Sequence, residues 1–507
     1  MPNIYQTAMF HALRSPRSTA LSDSHTAMDF AALCARARAL TAHLQGLGVR
    51  RGDRVAVLMH NAIDYLALMH ATAVGGFSLV PVNTRYSAAE LAFLISDCTP
   101  RVLVHDAEFS PLIAELPRHL APDQLPVCLD HLASDLADVP ATADPVAWRT
   151  GCVEDGDVAI IMYTSGTTST PKGAMLTHGN LVWNAMNYIM ELGIDAQSRS
   201  LMATPLFHIG GFGVINGPIL YAGGSLHLVP RFDAQSVVEA LQQNLPTHVF
   251  LLSAMWVGLT DHPGFAQLRL PSVRYVQTAA APLGEWRQKL IRQVFPNAEF
   301  GWGFGMTESC VTTIKNRYTH EILDHPGSIG YLWRHVAHRL VDETGQVLAD
   351  QRGPGELQVK GPTVFKGYWN QPELTAATLD ADGWLHTGDL FRFDDEGFAY
   401  FMGRSKDMIK TGGENVAAQE VENCLVGHPD VREAAAFGVP HERWGEELVA
   451  AVVPIEGRQP DTEALRTHCR ESLSGFKVPK RIFLVDSLPH SSSGKVQKFK
   501  LRQGFDA

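Results

Sequence analysis

Short apolar runs and helical-period stretches alternate along the first part of the chain. RVAVLM (Arg54–Met59), SLVPVN (Ser78–Asn83) and RVLVHD (Arg101–Asp106) read as buried strands. Phe30–Leu47 carries apolar residues at helical spacing and ends in Gly-Leu-Gly, which suits a helix stop, and Tyr65–Val74 reads as a second helix. Strands alternating with helices predict an α/β fold: a large N-terminal domain with mixed and parallel sheets flanked by helices. Pro117–Ala147 is rich in Pro, Asp and Ala and reads as an irregular connector. Val273–Gly284 (VRYVQTAAAPLG) predicts a strand and a turn, with Pro282 opening a helix. Phe300–Ser309 (FGWGFGMTES) alternates Gly301, Gly303 and Gly305 with aromatic residues, the pattern of a glycine-kinked strand. That pattern leaves the polar Thr307-Glu308 directly after it unexplained. FDDEGFAYFMGR predicts a hairpin turning at Asp394–Gly397 and leading to Arg404. The last hundred or so residues read as a small α+β domain.

Composition narrows the function more than the fold. At 507 residues the chain is long enough for two or more domains. A net charge of −11 leaves no basic surplus to neutralise phosphates, which argues against nucleic acid as a partner. The longest apolar stretch, Val55–Val82, is broken by His60, Asn61, Asp64 and His70, so no integral membrane segment is expected, and the N-terminus shows no signal-peptide pattern. Seven scattered cysteines without a CxxC pair suggest neither zinc nor a disulfide framework. They fit a cytoplasmic protein and read as small buried apolar residues.

Candidate chemistry concentrates in Tyr163–Gly173 (YTSGTTSTPKG), between the apolar run Val158–Met162 and a helical pattern starting near Asn180. Hydroxyls, backbone N–H groups and glycine suit an oligophosphate, and Lys172 adds a compact positive charge. A strand leading into a glycine-rich turn is a usual place for such an anion cradle. The loop is not a Walker A motif, because Lys172 follows Pro171 and precedes Gly173.

The string YTSGTTSTPKG resembles the phosphate loop of the adenylate-forming enzymes: acyl-CoA synthetases, aryl-CoA ligases, peptide-synthetase adenylation domains and luciferases. Further motifs follow in order over most of the chain. Ser169, Ala279, Ala418 and His441 depart from the residues usual there. The resemblance implies an acyl-CoA synthetase-like fold. Residues 1–403 would bind ATP and carboxylate, and residues 404–507 would form a mobile domain hinged at Lys406.

The resemblance also implies residue roles. Thr164, Ser165, Gly166, Thr167, Thr168 and Lys172 would hold the phosphates of ATP. PLFHIGGFG (Pro205–Gly213) would place His208 and Phe212 near the carboxylate. Ala280, Gly303, Phe304, Gly305 and Met306 would line the nucleotide site, with Phe304 against adenine. Thr307 would bond the α-phosphate region and Glu308 would hold Mg²⁺, a hard cation that favours oxygen ligands. Asp389, in WLHTGDL, would accept the ribose hydroxyls, and Arg404 would contact the ribose. Gly412 and Gly413 would border the path of coenzyme A. Lys495, after Ser-Ser-Gly, would reach into the adenylation site.

The expected reaction is AMP-forming ligation of a carboxylic acid to CoA, on a fatty or aromatic monocarboxylate. The candidate pocket is mainly apolar: Phe212, Val214, Met255, Trp256, Trp302, Met306 and Val311. Lys315 is the one basic candidate for meeting a second carboxylate. Two other readings stay open, loading of a carrier-protein thiol and a non-catalytic acyl- or adenylate-binding member. The reading also leaves room for a homodimer.

Overall fold

The three predicted strands lie side by side as Arg54–Leu58, Ser78–Pro81 and Val102–His105, parallel and almost wholly buried. Burial on both faces explains why they are continuous Val/Leu runs rather than alternating ones. The helices Ile63–Gly75 and Ala88–Cys98 return the chain between them. A computed structural model describes residues 3–130, 153–164, 171–279, 283–404, 408–411, 414–490 and 496–505. Within these residues a seven-stranded sheet runs from Gly367–Tyr368 through Lys172–Thr177, Val158–Thr164, Ser78–Pro81, Arg54–Leu58 and Val102–His105 to Val127–Asp130.

That last strand corrects the expectation of an irregular connector over 117–147. Val127–Asp130 pairs in parallel with Val102–His105 at the sheet edge. It carries a short apolar run, Val127-Cys128-Leu129, but lies at the sheet edge and is mostly exposed. The phosphate loop joins two strands, and the helix expected near Asn180 comes after the second. The chain passes from Val158–Thr164 through the loop into another strand, Lys172–Thr177, paired antiparallel to the first. The helix follows only at His178–Leu192, capped by a reciprocal pair of hydrogen bonds between Thr177 and Asn180. The loop therefore tips a β-hairpin and does not open a helix.

A nine-stranded sheet carries the glycine-rich motif. Its centre is parallel, with Tyr275–Ala279 between His248–Phe250 and Glu299–Phe304. Ile314–Lys315 then adds to Glu299–Phe304 antiparallel. The helix after Tyr275–Ala279 starts at Glu285. The predicted opening residue, Pro282, lies outside the described residues.

A four-stranded antiparallel sheet contains Leu385–Phe393 and Ala399–Arg404, joined through the expected turn at Asp394–Gly397. A further five-stranded sheet runs from Met408–Thr411 to Arg481–Leu484, with the helices Ala418–Val426 and Thr462–Ser472 and an apolar core of its own. The helix at Ala418 has no side-chain cap.

Four cysteines, Cys34, Cys98, Cys310 and Cys469, are buried as expected, whereas Cys128 on the edge strand is exposed and Cys424 is half-buried. No helix among the described residues is long and apolar enough to cross a membrane.

Candidate active site

The phosphate-loop hairpin brings Thr164 and Lys172 opposite each other as strand partners. The segment Phe365–Trp369 then ties the hairpin to the Thr307-Glu308 turn. The Phe365 N–H donates to the Glu308 carbonyl at 2.8 Å, and the Trp369 N–H donates to the Gly173 carbonyl at 2.7 Å. Tyr368 joins the two motifs directly. Its hydroxyl donates to Glu308 Oε1 at 2.6 Å, and Lys172 Nζ stands 5.6 Å from the centre of its ring. Two motifs separated by more than a hundred residues thus meet through a tyrosine that the sequence reading did not single out. Its only sequence signal was an aromatic pair, Tyr368-Trp369, following a glycine.

Glu308 is buried on the short turn Thr307–Ser309. One carboxylate oxygen accepts the hydrogen bond of the Tyr368 hydroxyl. A carboxylate oxygen is a hard donor and suits Mg²⁺, and Thr307 beside Glu308 and Thr164 in the phosphate-loop hairpin are further oxygen-bearing residues of the same two motifs. We expect Tyr368→Phe to lower adenylate formation ~10-fold, since groups that orient a metal-binding carboxylate commonly contribute that much. A Mg²⁺ titration of pyrophosphate release checks it; an unchanged midpoint and rate would assign Tyr368 to packing alone.

A second cluster forms where the glycine-rich strand meets the four-stranded sheet. The Phe304 ring packs edge-on against Phe391 at 4.8 Å and lies 5.8 Å from Phe401. Asp389 and Arg404 are partners across the two strands, and Arg404 Nε lies 3.3 Å from Asp389 Oδ1. Asp389 sits inside a strand, not in a simple turn. Gly388 and Gly403 precede the pair at φ 69° and 118°, backbone angles that a side chain resists, and the ladder shifts register beside them. That local irregularity gathers the carboxylate and the guanidinium at one end of the ladder.

His208 lies on a further element. It precedes the short helix Ile209–Gly213, with its ring 4.7 Å from Phe207. Ser165, Gly166, Thr167, Thr168, Ala280, Lys406, Gly412, Gly413 and Lys495 lie outside the described residues.

The expected apolar pocket divides in two. Phe212, Val214 and Val311 belong to one buried cluster, with Met306 packed against it. Met255 and Trp256 belong to a different core, with Trp302 against it. Trp256 is fully buried among Phe265 and Phe295 and is a core residue. Strand alternation sends Phe300 and Trp302 to the face opposite Gly301 and Gly303. Lys315 is buried, and its Nζ donates to Gln277 Oε1 at 2.8 Å.

Residues 10–369 match the AMP-binding enzyme family, and residues 420–495 match the AMP-binding enzyme C-terminal domain. The chain belongs to the AMP-binding enzymes. A feruloyl-CoA synthase of Amycolatopsis sp is 37% identical over 494 residues, covering 97% of each chain. A long-chain-fatty-acid–CoA ligase of Mycobacterium tuberculosis is 32% identical over 514 residues, covering 100% of this chain and 99% of the relative. Among solved structures, an anthranilate CoA ligase in complex with anthranoyl-AMP superposes with a TM-score of 0.89 at 27% identity, covering 99% of this chain and 97% of that one. This AMP-binding enzyme is an AMP-forming acid–thiol ligase with ATP and coenzyme A as co-substrates.

Proposed function

We propose that the enzyme joins a monocarboxylic acid with an apolar or aromatic body to CoA, in two steps at one site. In the first, the substrate carboxylate attacks the α-phosphorus of ATP and pyrophosphate leaves, giving an acyl-adenylate. The step needs charge neutralisation and in-line positioning more than a strong base, because the carboxylate is already ionised at neutral pH. Thr164, Lys172 and the hydroxyls of Ser165, Thr167 and Thr168 hold the departing phosphates. Bound Mg²⁺, held by Glu308, supplies further positive charge there. Thr307 bonds the α-phosphate region and Lys495 stabilises the charge between carboxylate and phosphate. Phe304 packs on adenine, Asp389 accepts the ribose hydroxyls, and Arg404 steadies Asp389. His208 and Phe212 border the acyl group.

In the second step a thiol replaces AMP at the same carbonyl. Residues 404–507 turn about Lys406, withdrawing Lys495 and bringing Gly412 and Gly413 alongside CoA. The separate matches over residues 10–369 and 420–495 support this division near residue 403. The free cysteines support a cytoplasmic setting, and sedimentation would test for a homodimer.

The observation that carries the residue assignment is the Lys172–Tyr368–Glu308 link, which joins phosphate loop to metal-holding carboxylate. The test is pyrophosphate release with ATP and Mg²⁺ across fatty, aromatic and dicarboxylic acids, with and without CoA. We expect CoA-dependent turnover on a monocarboxylate. Adenylation that ignores CoA would point to carrier-protein loading, and turnover of dicarboxylates alone would sink the substrate reading.

A further inference from the structure

The helix Ala88–Cys98 ends against the phosphate-loop hairpin, with Asp97 half-buried in its last turn. The Asp97 carboxylate holds one arm of the hairpin, since its Oδ2 accepts the Tyr163 hydroxyl. Tyr163 is buried and immediately precedes Thr164, where the strand Val158–Thr164 runs into the loop. The Asp97 backbone carbonyl holds the other arm. It accepts from Trp369 Nε1 at 3.2 Å and from Asn370 Nδ2 at 3.0 Å. Trp369 in turn donates its backbone N–H to the Gly173 carbonyl, next to Lys172.

The two arms close on each other at the same level. Tyr163 faces Gly173 across the ladder, as Thr164 faces Lys172. A Cβ on Gly173 would lie 3.2 Å from Tyr163 Cζ and 3.3 Å from Trp369 Cβ, so the bare glycine lets both residues pack over it. Arg54 fixes the helix end. Its Nε donates to the Cys98 carbonyl at 2.6 Å and its guanidinium lies 5.2 Å from the Trp369 ring centre. Consecutive residues thus tie the hairpin in two directions, Tyr368 forward to Glu308 and Trp369 back to Asp97.

A carboxylate in this place does not serve the helix. The last turn of a helix carries partial negative charge, so an acidic residue there is unfavourable where a neutral or basic one would be favoured. Apolar packing does not require the charge either, because Tyr163 lies in a cluster with Leu94, Ile95 and Cys98. Burial pushes the Tyr163 hydroxyl well above its usual range, with Cys98 and Asp97 adding to the shift, so the phenol stays a donor. A buried donor needs an acceptor, and an ionised one makes the shorter, stronger bond. The charge therefore goes into holding the tyrosine and the strand that carries it.

We propose that Asp97 is a positioning residue for adenylation: by holding Tyr163 with its carboxylate, against the arm that its carbonyl anchors through Trp369, it sets Thr164 and Lys172 in place for the phosphates of ATP. That role rests on the reading of this hairpin as the holder of those phosphates. Asp97 acts through Tyr163 and touches no reacting group itself.

The test measures kcat/KM for ATP and KM for the acid in pyrophosphate release, beside thioester formation from acyl-adenylate supplied ready-made. Tyr163→Phe and Asp97→Ala should each lower kcat/KM for ATP ~10-fold, since small displacements of positioned groups far from the chemistry are that costly. KM for the acid and the thioester step should stay within ~2-fold, because neither uses the phosphate contacts. Asp97→Asn, whose amide oxygen still accepts the phenol, should come within ~3-fold of wild type. The double variant Asp97→Ala/Tyr163→Phe should be no worse than the poorer single one, since the two side chains form one link. Thermal unfolding establishes that each variant is folded, and Tyr163→Phe, which loses a single hydroxyl, decides the matter should Asp97→Ala not fold. Equal losses in the thioester step would make the link a staple of the fold and overturn the proposal, as would an unchanged kcat/KM for ATP in the folded variants. Lys172→Ala separates the two levels. A loss for ATP there with none in the Asp97 and Tyr163 variants sinks the positioning role alone, and no loss at Lys172 sinks the reading of the hairpin as well.

Discussion

Glu308→Gln should lower adenylate formation ~10²–10³-fold, the usual loss when one charge-stabilising group is removed from a reacting phosphate or oxyanion. The substitution keeps the shape of the side chain. The amide oxygen of Gln can still accept the Tyr368 hydroxyl that Glu308 Oε1 takes at 2.6 Å, so packing on the buried turn survives. What disappears is the negative charge that Tyr368 links to Lys172, and with it the hard oxygen ligand proposed for Mg²⁺. The loss should appear in pyrophosphate exchange, with the Mg²⁺ midpoint moved to higher concentration. A loss smaller than ~10-fold at saturating Mg²⁺ would move the metal-holding role away from Glu308.

Lys495→Ala should separate the two half-reactions. Adenylation should drop ~10²-fold or more, because the charge shared by carboxylate and α-phosphate loses its counter-ion. Thioester formation from acyl-adenylate supplied ready-made should stay within ~3-fold, since the proposed turn of residues 404–507 would withdraw Lys495. The measurement is single-turnover thioester formation against pyrophosphate release. Equal losses in both steps would rule out the alternating role and make Lys495 a general binding residue.

These two effects differ in how they could be found. Lys495 is legible because a rare string, Ser-Ser-Gly-Lys, falls near the end of a chain whose other motifs are already in order. Glu308 is legible as a residue type, but its setting is not. Tyr368 lies sixty residues further on and reaches it only because Gly367–Tyr368 pairs with Lys172–Thr177 at the sheet edge. A two-residue strand has no periodicity to read.

The pocket makes the same point. Trp256, Trp302 and Val311 look alike in sequence, as apolar residues near the motifs. In the structure the first two belong to a separate core: Trp256 through the buried face of the helix Ser253–Asp261, and Trp302 because alternation along Glu299–Phe304 sends it to the face opposite Gly301 and Gly303. Gln277 and Lys315 sit in ordinary strands and carry no motif, yet the absent side chain of Gly303 puts them together.

The sequence by itself determined the parallel α/β core, through uninterrupted Val/Leu runs that only a doubly covered sheet requires. It also determined the reaction class, through motifs whose residue types are fixed by phosphate and carboxylate chemistry. Tertiary structure alone decided that the strands flanking the phosphate loop form a hairpin, that Tyr368 couples it to Glu308, and that Lys315 is buried against Gln277. These depend on which strand edges pair and which face each side chain takes. Pairing and facing arise from contacts between residues far apart in the chain, and no local pattern encodes them.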